Sequence, residues 1–288
     1  MRQLVWLIST IRRCGRITLS ELSRKWVEDD VNEGSPLGRT SFNRRRDELF
    51  DLFGLVIGCD EHYQYYFVNP EVVGNHSIES WLLSTMTVNT ALSESVAVRD
   101  RIVLEKVPSG EQFLAAILEA VKQRRRLLMG YRKFGAEPSE RVVEPYMLKL
   151  SRRRWYMLAR TEGVLKVFSL DRIFSLKPTG ERFEKLADFS PSEYFAEYFG
   201  VLTDGTPLAR VVIRAYGTTA SYLRTLPLHD SQREVGGGEG YSDFELHLRP
   251  TADFIGELLS YDKGVEVMAP AELRLKIREK LEQMLKRY

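Results

Sequence analysis

A basic and aromatic segment spans residues 124–160, and its side chains are of the types that bind nucleic acid. The segment holds eleven Arg or Lys residues and three acidic residues, a net charge of +8, whereas the whole chain has a net charge of +2. Positive side chains bind phosphate, and flat rings stack on bases. The rings interleaved with these charges are Tyr131, Phe134, Tyr146, Trp155 and Tyr156. The segment is therefore a candidate site for a nucleic-acid or nucleotide ligand.

A second basic cluster lies near the N-terminus, at the start of a helix predicted over residues 39–53. Arginine can pair with guanine in the major groove, and asparagine with adenine. The apolar positions expected on the buried side of this helix are Phe42, Leu49, Phe50 and Phe53. The residues predicted to contact DNA are Arg39, Thr40, Ser41, Asn43, Arg44 and Arg45.

The elements around this helix predict a winged helix-turn-helix domain in residues 1–73. The spacing of Thr18 and Glu21 fits a capping box that opens the second of three helices. The predicted elements are helices over residues 2–13, 19–27 and 39–53, then strands over residues 54–57 and 65–68. In this motif the third helix enters the major groove of duplex DNA.

Two alternatives remain for the N-terminal cluster. The run Arg44–Arg46 is followed by Asp47, Glu48 and Asp51, so it also fits a solvated helix face with balanced charges. Winged helices also serve as protein-docking modules. The sequence alone leaves both open.

Composition limits the class of protein. The chain has 288 residues, 43% of them hydrophobic and 28% charged, as in an ordinary globular protein of two or three domains. No apolar run is long enough for a membrane span, and no signal peptide is expected, which favours the cytoplasm. Two cysteines, Cys14 and Cys59, fit a reducing compartment and are expected to be small core residues. The four histidines show no metal-ligand spacing, so no metal or cofactor is predicted.

The middle of the chain predicts a small β-domain. One or two helices are expected to bridge residues 74–110, and an amphipathic helix is expected over residues 111–125. Six short β-rich runs follow between residues 127 and 178, including separate runs at 140–146 and 147–150. Short strands of this density are typical of a small barrel.

This middle region resembles the WYL domain of bacterial transcriptional regulators. The motifs that carry the resemblance are Tyr131-Arg132, Arg141 to Pro145, Trp155-Tyr156-Met157 and Phe168 to Ile173, with Met157 in the place of the family's leucine. The resemblance implies an SH3-like or Sm-like barrel behind a helix. It also implies a ligand site for single-stranded DNA or another nucleotide-type molecule.

Carried over to this chain, the resemblance places five residues in the ligand site: Tyr131, Arg141, Tyr146, Tyr156 and Arg172. Tyr156 is the leading candidate for base stacking, and Arg141 and Arg172 for phosphate. Arg153 is added as a clamp on the ligand from a predicted hairpin tip, for which a solvated turn is the alternative. Trp155 alternates with Tyr156 and is expected to pack in a core or between domains.

The C-terminal third predicts a small ferredoxin-like α+β domain in βαβαβα order, similar to the C-terminal extension of WYL regulators. Gly236–Gly238 is interpreted as a flexible turn, because it lacks the strand-to-helix context of a cofactor loop. The apolar stripe on the last helix fits a core, or a dimer contact, and consists of Leu273, Ile277, Leu281 and Met284. No motif for nucleophilic, phosphate-loop or metal chemistry is present, so the chain is not expected to be an enzyme.

The sequence thus predicts a multidomain α+β protein. The expected parts are a winged helix-turn-helix (1–73), a helical linker (74–110), a WYL domain (111–200) and a C-terminal domain (205–288). The expected function is a homodimeric transcriptional regulator that binds a duplex operator and senses a nucleotide-type ligand. A single-strand-binding accessory protein and a protein-docking scaffold are the alternatives.

Overall fold

The computed structural model describes residues 2–73, 78–94, 101–103, 107–184, 186 and 189–288. It divides into two compact units, residues 1–105 and 106–288. The predicted linker over residues 74–110 falls partly outside the described residues, at 74–77, 95–100 and 104–106. No described helix is long and apolar enough to cross a membrane, and no group of metal-binding side chains occurs in the described part of the chain.

The first unit contains the predicted helices and hairpin. Its capping box is confirmed: Glu21 N donates to Thr18 Oγ1 over 3.3 Å, and Thr18 N donates to Glu21 Oε2 over 3.0 Å. Three short strands form an antiparallel sheet in the order β1-β3-β2. The elements are α1 (Arg2–Cys14), β1 (Ile17–Thr18), α2 (Leu19–Glu28), α3 (Arg39–Phe53), β2 (Ile57–Cys59), β3 (Gln64–Phe67) and α4 (Ile78–Glu94).

The core of the first unit is mostly aliphatic, with four aromatic side chains among its buried residues. The rings of Phe42 and Tyr65 meet edge to face with centroids 4.6 Å apart, which packs α3 on the sheet. Phe50 was expected in this core but is 58% exposed. The buried line on α3 passes instead through Phe42, Arg45, Leu49 and Phe53, a helical spacing that leaves Phe50 outside it.

Both cysteines are exposed, so the expectation that they are core residues is wrong. Cys14 is the last residue of α1, and Cys59 is the last residue of β2, where the hairpin turns. Both therefore lie at the ends of their elements rather than on the buried faces.

The second unit begins with α5 and a five-stranded antiparallel sheet in the order β7-β6-β5-β4-β8. The two runs expected at 140–146 and 147–150 form a single strand, β5, with a register shift between Pro145 and Met147. No pairing joins β7 to β8 within the described residues, so the sheet is not a closed barrel. The elements are α5 (Leu114–Gln123), β4 (Arg125–Tyr131), β5 (Ser139–Ser151), β6 (Arg154–Thr161), β7 (Val164–Ser169) and β8 (Ile173–Arg182).

One face of this sheet packs against α5. Ile117 and Ala120 on the helix are buried against Leu127 and Met129 of β4 and Met157 of β6. Because side chains alternate along a strand, these contacts fix which residues of each strand face the core. The helix thereby sets the orientation of the side chains at both ends of β4.

The C-terminal part of the second unit has the element order βαββαβ and then α9, an order typical of ferredoxin-like folds. Four antiparallel strands pair in the order β10-β11-β9-β12. Gly236–Gly238 lies within β10, so the expected flexible turn is instead an edge strand. The elements are α6 (Pro191–Tyr194), β9 (Ala209–Tyr216), α7 (Thr218–Thr225), β10 (Arg233–Gly238), β11 (Tyr241–Leu248), α8 (Ala252–Ser260), β12 (Val265–Ala269) and α9 (Ala271–Leu285).

The apolar stripe on α9 is only partly core. Leu273 is 2% exposed and Ile277 packs against the core, whereas Leu281 and Met284 are 48% and 50% exposed. The apolar side chains of α9 are therefore buried near the start of the helix and exposed towards its C-terminal end.

A pair of glycines tests the packing of the segment that precedes α5. Gly110 and Gly135 have nearly equal positive φ angles, +69° and +70°. A Cβ added to Gly110 would lie 2.4 Å from the Leu170 carbonyl carbon, whereas a Cβ added to Gly135 would meet nothing within 4 Å. Gly135→Ala should lower the free energy of unfolding by about 1–2 kcal/mol through backbone strain alone. Gly110→Ala should cost about 1–3 kcal/mol more, because the clash involves backbone. Equal denaturation midpoints for the two variants would contradict this contact.

Candidate ligand and nucleic-acid sites

A cluster around Tyr131 lies where β4 ends. The Tyr131 side chain is 6% exposed, its ring meets Phe168 edge to face at 5.2 Å, and its hydroxyl accepts a hydrogen bond from Ser169 N over 3.3 Å. The Arg172 guanidinium carbon lies 5.0 Å from the centroid of the Tyr131 ring and 3.9 Å from that of Phe134. Arg172 Nε donates to the carbonyl of Arg132 over 2.9 Å, which holds the guanidinium near both rings.

Arg141 reaches the same cluster from β5. It pairs with Met129 across β4 and β5, and Met129 is fully buried, so Arg141 is on the core-facing side of the sheet. Its Nη2 donates to Ser139 Oγ over 2.5 Å. Burial raises the pKa of the Tyr131 hydroxyl, and the positive charges of Arg172 and Arg141 partly oppose that rise. The two cations therefore both act on one phenol.

Two nitrogens in this cluster have no hydrogen-bond partner among the described residues. They are Arg141 Nε and Arg172 Nη2, and both are buried. A buried donor without a partner costs about 1–3 kcal/mol, and more when the group is charged. The nearby carboxylate of Asp171 is used elsewhere: it accepts from Ser169 Oγ and lies 3.8 Å from Arg154. An anion held by both guanidinium groups would satisfy these donors.

Phe134 belongs to the cluster, although the sequence analysis did not assign it to the site. It follows β4, is 79% exposed, and stacks against Arg172. An exposed ring beside a cation presents a face on which a base can stack. The sequence feature that could have identified Phe134 as a site residue is its position among basic residues directly after a predicted strand.

Tyr156 is not part of this cluster. Met157 is fully buried in the sheet core and Trp155 packs against it, so Tyr156 between them faces the other side of the sheet. The expected core packing of Trp155 is confirmed. On the other side, Tyr156 pairs with Lys149 of β5 and with Ser169 of β7. The leading candidate for stacking is thus separated from Tyr131 by the sheet itself.

Tyr146 is also placed elsewhere. It is 7% exposed at the register shift of β5, where its ring lies 5.3 Å from Phe183 and 5.2 Å from Phe189. Its hydroxyl donates to the Glu184 carbonyl over 3.3 Å. Tyr146 therefore packs in a second aromatic cluster and does not reach the ligand cluster.

At the predicted hairpin tip between β5 and β6, Arg152 and Arg153 have different surroundings. Arg153 is exposed in a left-handed conformation, with φ +65°. Its neighbour Arg152 forms an ion pair with Glu257 of α8 and lies 5.3 Å from the Phe199 ring. The tip thus contacts the C-terminal part of the unit, and the structure does not bring Arg153 to the Tyr131 cluster.

In the first unit, the start of α3 displays four of the six predicted DNA-binding residues. The exposed residues are Arg39, Thr40, Asn43 and Arg44. The helix is preceded by Gly38, with no side-chain cap for its first N–H groups. Such a helix start attracts phosphate through its free N–H groups and its dipole.

Arg45 and Ser41 are placed differently from the expectation. Arg45 is 6% exposed, donates through Nε to Gln3 Oε1 over 3.0 Å, and lies 5.3 Å from the Trp26 ring. Its Nη1 donates to the carbonyl of Ser41, which is half-buried. Arg45 therefore ties α3 to α1 and is not available to a duplex, because it occupies a position on the buried side of the helix.

Comparison with protein families agrees with the motifs. Residues 112–178 match the WYL domain, and residues 207–285 match the WCX domain. The chain carries a WYL domain followed by a WCX domain. The resemblance stated from the motifs is thereby confirmed for residues 112–178, which contain Tyr131, Arg141 and Arg172.

Two solved structures are similar to the chain. The proteasome accessory factor B/C (PafBC) of Arthrobacter aurescens is 20% identical with a TM-score of 0.37, over 98% of this chain and 46% of that one. A CRISPR Cas-related protein is 11% identical with a TM-score of 0.38, over 92% of this chain and 77% of that one. This chain thus spans about half the length of PafBC, and scores this low support no statement about its function. No match was found among curated proteins.

Lys149, which shares a face with Tyr156, connects the WYL domain to the chain that follows it. Its Nζ donates to the Gly200 carbonyl over 2.7 Å and lies 4.1 Å from the Phe195 ring. Burial lowers the pKa of Lys149 to about 8, against the opposing attraction of Asp253 and Asp230. The charged lysine is therefore less favourable in the folded protein than in the unfolded chain.

This shift predicts a pH dependence of stability. Between pH 8 and 10.5 the unfolded chain keeps a proton on Lys149 that the folded protein has lost, so the lysine's contribution to the free energy of unfolding rises with pH. The difference in stability between wild type and Lys149→Met should therefore change in favour of wild type across this range. Chemical denaturation checks it, with Lys177→Met at an exposed position as the control. A difference that stays flat, or that falls with pH, would contradict the placement of Lys149.

Proposed function

We propose that the chain is a DNA-binding transcriptional regulator whose WYL domain senses a nucleic-acid or nucleotide-type ligand. The observation that carries the proposal is the pair of unpartnered guanidinium nitrogens of Arg141 and Arg172 beside Tyr131. Buried guanidinium nitrogens without a hydrogen-bond partner are unfavourable, and the nearby Asp171 carboxylate already accepts from Ser169 Oγ and lies beside Arg154. An anionic ligand would accept both hydrogen bonds and add negative charge.

The neighbouring Phe134 ring indicates which class of anionic ligand fits the site. Phe134 is exposed and contacts Arg172, which also lies beside Tyr131. A ligand with a phosphate at the two arginines and a flat base on Phe134 uses both features. Single-stranded DNA and smaller nucleotides both have this chemistry, and the binding requires no catalytic step.

The first unit supports the DNA-binding half of the proposal. Three helices, a short strand and a hairpin occur in the order that a winged helix-turn-helix has, and α3 presents Arg39, Asn43 and Arg44 to solvent. These side chains suit base edges in the major groove, and the uncapped helix start suits a phosphate. In a homodimer acting in the cytoplasm, two copies of α3 would read paired half-sites of an operator.

A single-strand-binding accessory protein is the alternative function. The Tyr131 cluster lies wholly within the second unit, so it can bind a strand without any contribution from α3. Selection of duplexes from a random pool by the full-length protein separates the two. A regulator enriches one sequence, usually palindromic, whereas the accessory protein enriches none and prefers single strands.

Asn43 provides the test of base reading. Asn43→Ala should lower the preference for the selected operator over unrelated duplex by about 1–3 kcal/mol, because one paired contact to a base is lost. Binding to unrelated duplex should stay nearly constant. Leu52→Ala is the matched control, since Leu52 is 53% exposed at the other end of α3. Equal operator preference in Asn43→Ala and wild type would contradict the proposal that Asn43 of α3 contacts a base.

Arg141 provides the test of ligand sensing. Arg141→Ala should abolish the effect of added nucleotide ligand on operator affinity and leave binding without ligand near the wild-type value, because Arg141 is far in sequence from α3 and its hydrogen bond among the described residues is to Ser139. Fluorescence anisotropy with labelled operator measures both quantities. Arg233→Ala, at an exposed position of β10, controls for the loss of one positive charge. A full ligand response in Arg141→Ala would show that the sensing site is elsewhere.

A further inference from the structure

A basic cleft lies at the opposite end of β4 from Tyr131. Its volume is about 700 Å³, and it forms where α5 ends and β8 ends beside it. The residues that line it are Lys122, Gln123, Arg124, Arg182, Phe183 and Glu184. The lining thus has three cations and one carboxylate, and Arg125, which begins β4 directly after Arg124, adds a fourth cation beside the cleft rather than in its lining.

The cations are brought together by the pairing of strands. Arg125 and Arg182 stand directly opposite each other across β4 and β8, and both are exposed. Like charges in directly opposed positions of a sheet destabilise it. Neither forms an ion pair with a described residue, whereas the next residue, Arg126, lies 2.9 Å from Glu144 and 2.6 Å from Glu181. The sheet thus neutralises Arg126, whereas the opposed pair has no ion pair among the described residues, although the Glu184 carboxylate also lines the cleft.

Helix capping does not account for this cluster. Cations near the carbonyl end of α5 interact favourably with the helix dipole, which explains Lys122. Arg182 belongs to β8 and not to the helix. Arg124 has φ +54°, a conformation that glycine adopts at lower cost, and its carbonyl accepts from Phe183 N over 2.9 Å. This hydrogen bond holds the end of the helix and the end of β8 together, with the cations of both at a fixed spacing.

We propose that this cleft binds phosphates of a nucleic-acid single strand, as a second anchor for a strand that also occupies the Tyr131 cluster. The inference rests on the proposed nucleotide ligand. β4 has seven residues, so its two ends are separated by about 20 Å, which a single nucleotide cannot span. A longer strand can contact both ends.

β8 is the edge strand of the sheet, next to β4, so a strand that follows its free edge can reach both ends of β4. Lys177 stands opposite Leu128, and Phe174 packs over Gly130, where a Cβ would lie 2.4 Å from its ring. Both side chains therefore lie on the face of the sheet turned away from α5 and Tyr131. Phe174 is 49% exposed and Lys177 is exposed, so a strand that crosses this edge meets a ring and a cation. The second anchor thereby favours strands over mononucleotides.

The test compares ligands of two lengths on the full-length protein. Thymidine monophosphate is too short to occupy both sites at once, and a labelled thymidine strand of about twelve nucleotides can contact both. The variant is Arg125→Gln/Arg182→Gln. The control is Lys280→Gln/Lys286→Gln, which removes two exposed charges from the region of α9. Affinities are measured by anisotropy and competition over a series of salt concentrations.

For the long strand, the slope of log affinity against log salt should become shallower by about 1.4 in the arginine variant, since each lost phosphate contact contributes about 0.7. Thymidine monophosphate should bind that variant as it binds wild type, and the lysine control should keep the wild-type slope. Restoring charge as Arg125→Lys/Arg182→Lys should restore the slope. If the slope stays shallow in Arg125→Lys/Arg182→Lys, the change in the glutamine variant reflects misfolding and not lost charge. That result would overturn the proposed cleft site.

The remaining outcomes separate this inference from the proposed function. An unchanged slope in the arginine variant, or a mononucleotide weakened as much as the strand, overturns the second anchor and leaves the sensing site in place. A strand that depends on Arg125 and Arg182, with no mononucleotide binding and no effect of Arg172→Gln, supports the cleft and overturns the Tyr131 site. If wild type binds neither ligand, both proposals fall.

Discussion

The meeting of two guanidinium groups at one buried phenol is the constraint on which the second unit depends. β4 carries Tyr131, β5 carries Arg141, and the turn before β8 carries Arg172, so three separate parts of the chain must be in register for the cluster to form. Packing of α5 on β4 supplies that register, because Ile117 and Met129 are fully buried. The hydrophobic core thus provides the stability that offsets the cost of the buried, unpartnered guanidinium nitrogens, and under the proposed function a bound anion would accept hydrogen bonds from both.

The same sheet connects the WYL domain to the WCX domain on its other side. Arg152 at the tip of the β5–β6 hairpin pairs with Glu257, and Lys149 donates to the Gly200 carbonyl. β5 thus carries Arg141 near one end and, near the other, Lys149, which contacts the segment that precedes the WCX domain. The strands of the WCX domain form a separate sheet, so the Arg152–Glu257 ion pair joins the two domains through side chains. Under the proposed function, allostery through these contacts requires a measured coupling between the sites.

The sequence predicted the elements better than the orientation of side chains. The motifs identified the WYL domain, and alternation placed Trp155 and Tyr156 on opposite faces, but periodicity could not tell which face bears the ligand cluster. Arg45 shows the same limit: it lies on the line of Phe42, Leu49 and Phe53, yet its charge favoured a surface role. A buried arginine is stabilised by distant partners, here Gln3 and Trp26, which no local pattern reveals. The strand β10 was missed because its glycines have low β propensity and are typical of turns.

The most direct test of the central claim is mass spectrometry of the molecules that remain bound when the full-length protein is purified from cells and then denatured. The account predicts that wild type releases a phosphate-containing nucleotide or oligonucleotide, and that Arg172→Gln, which keeps the neutral contacts of the site, releases little or none. Equal release from the two proteins would contradict the claim. So would a wild-type protein that releases no such molecule and binds none when nucleotides and single strands are added.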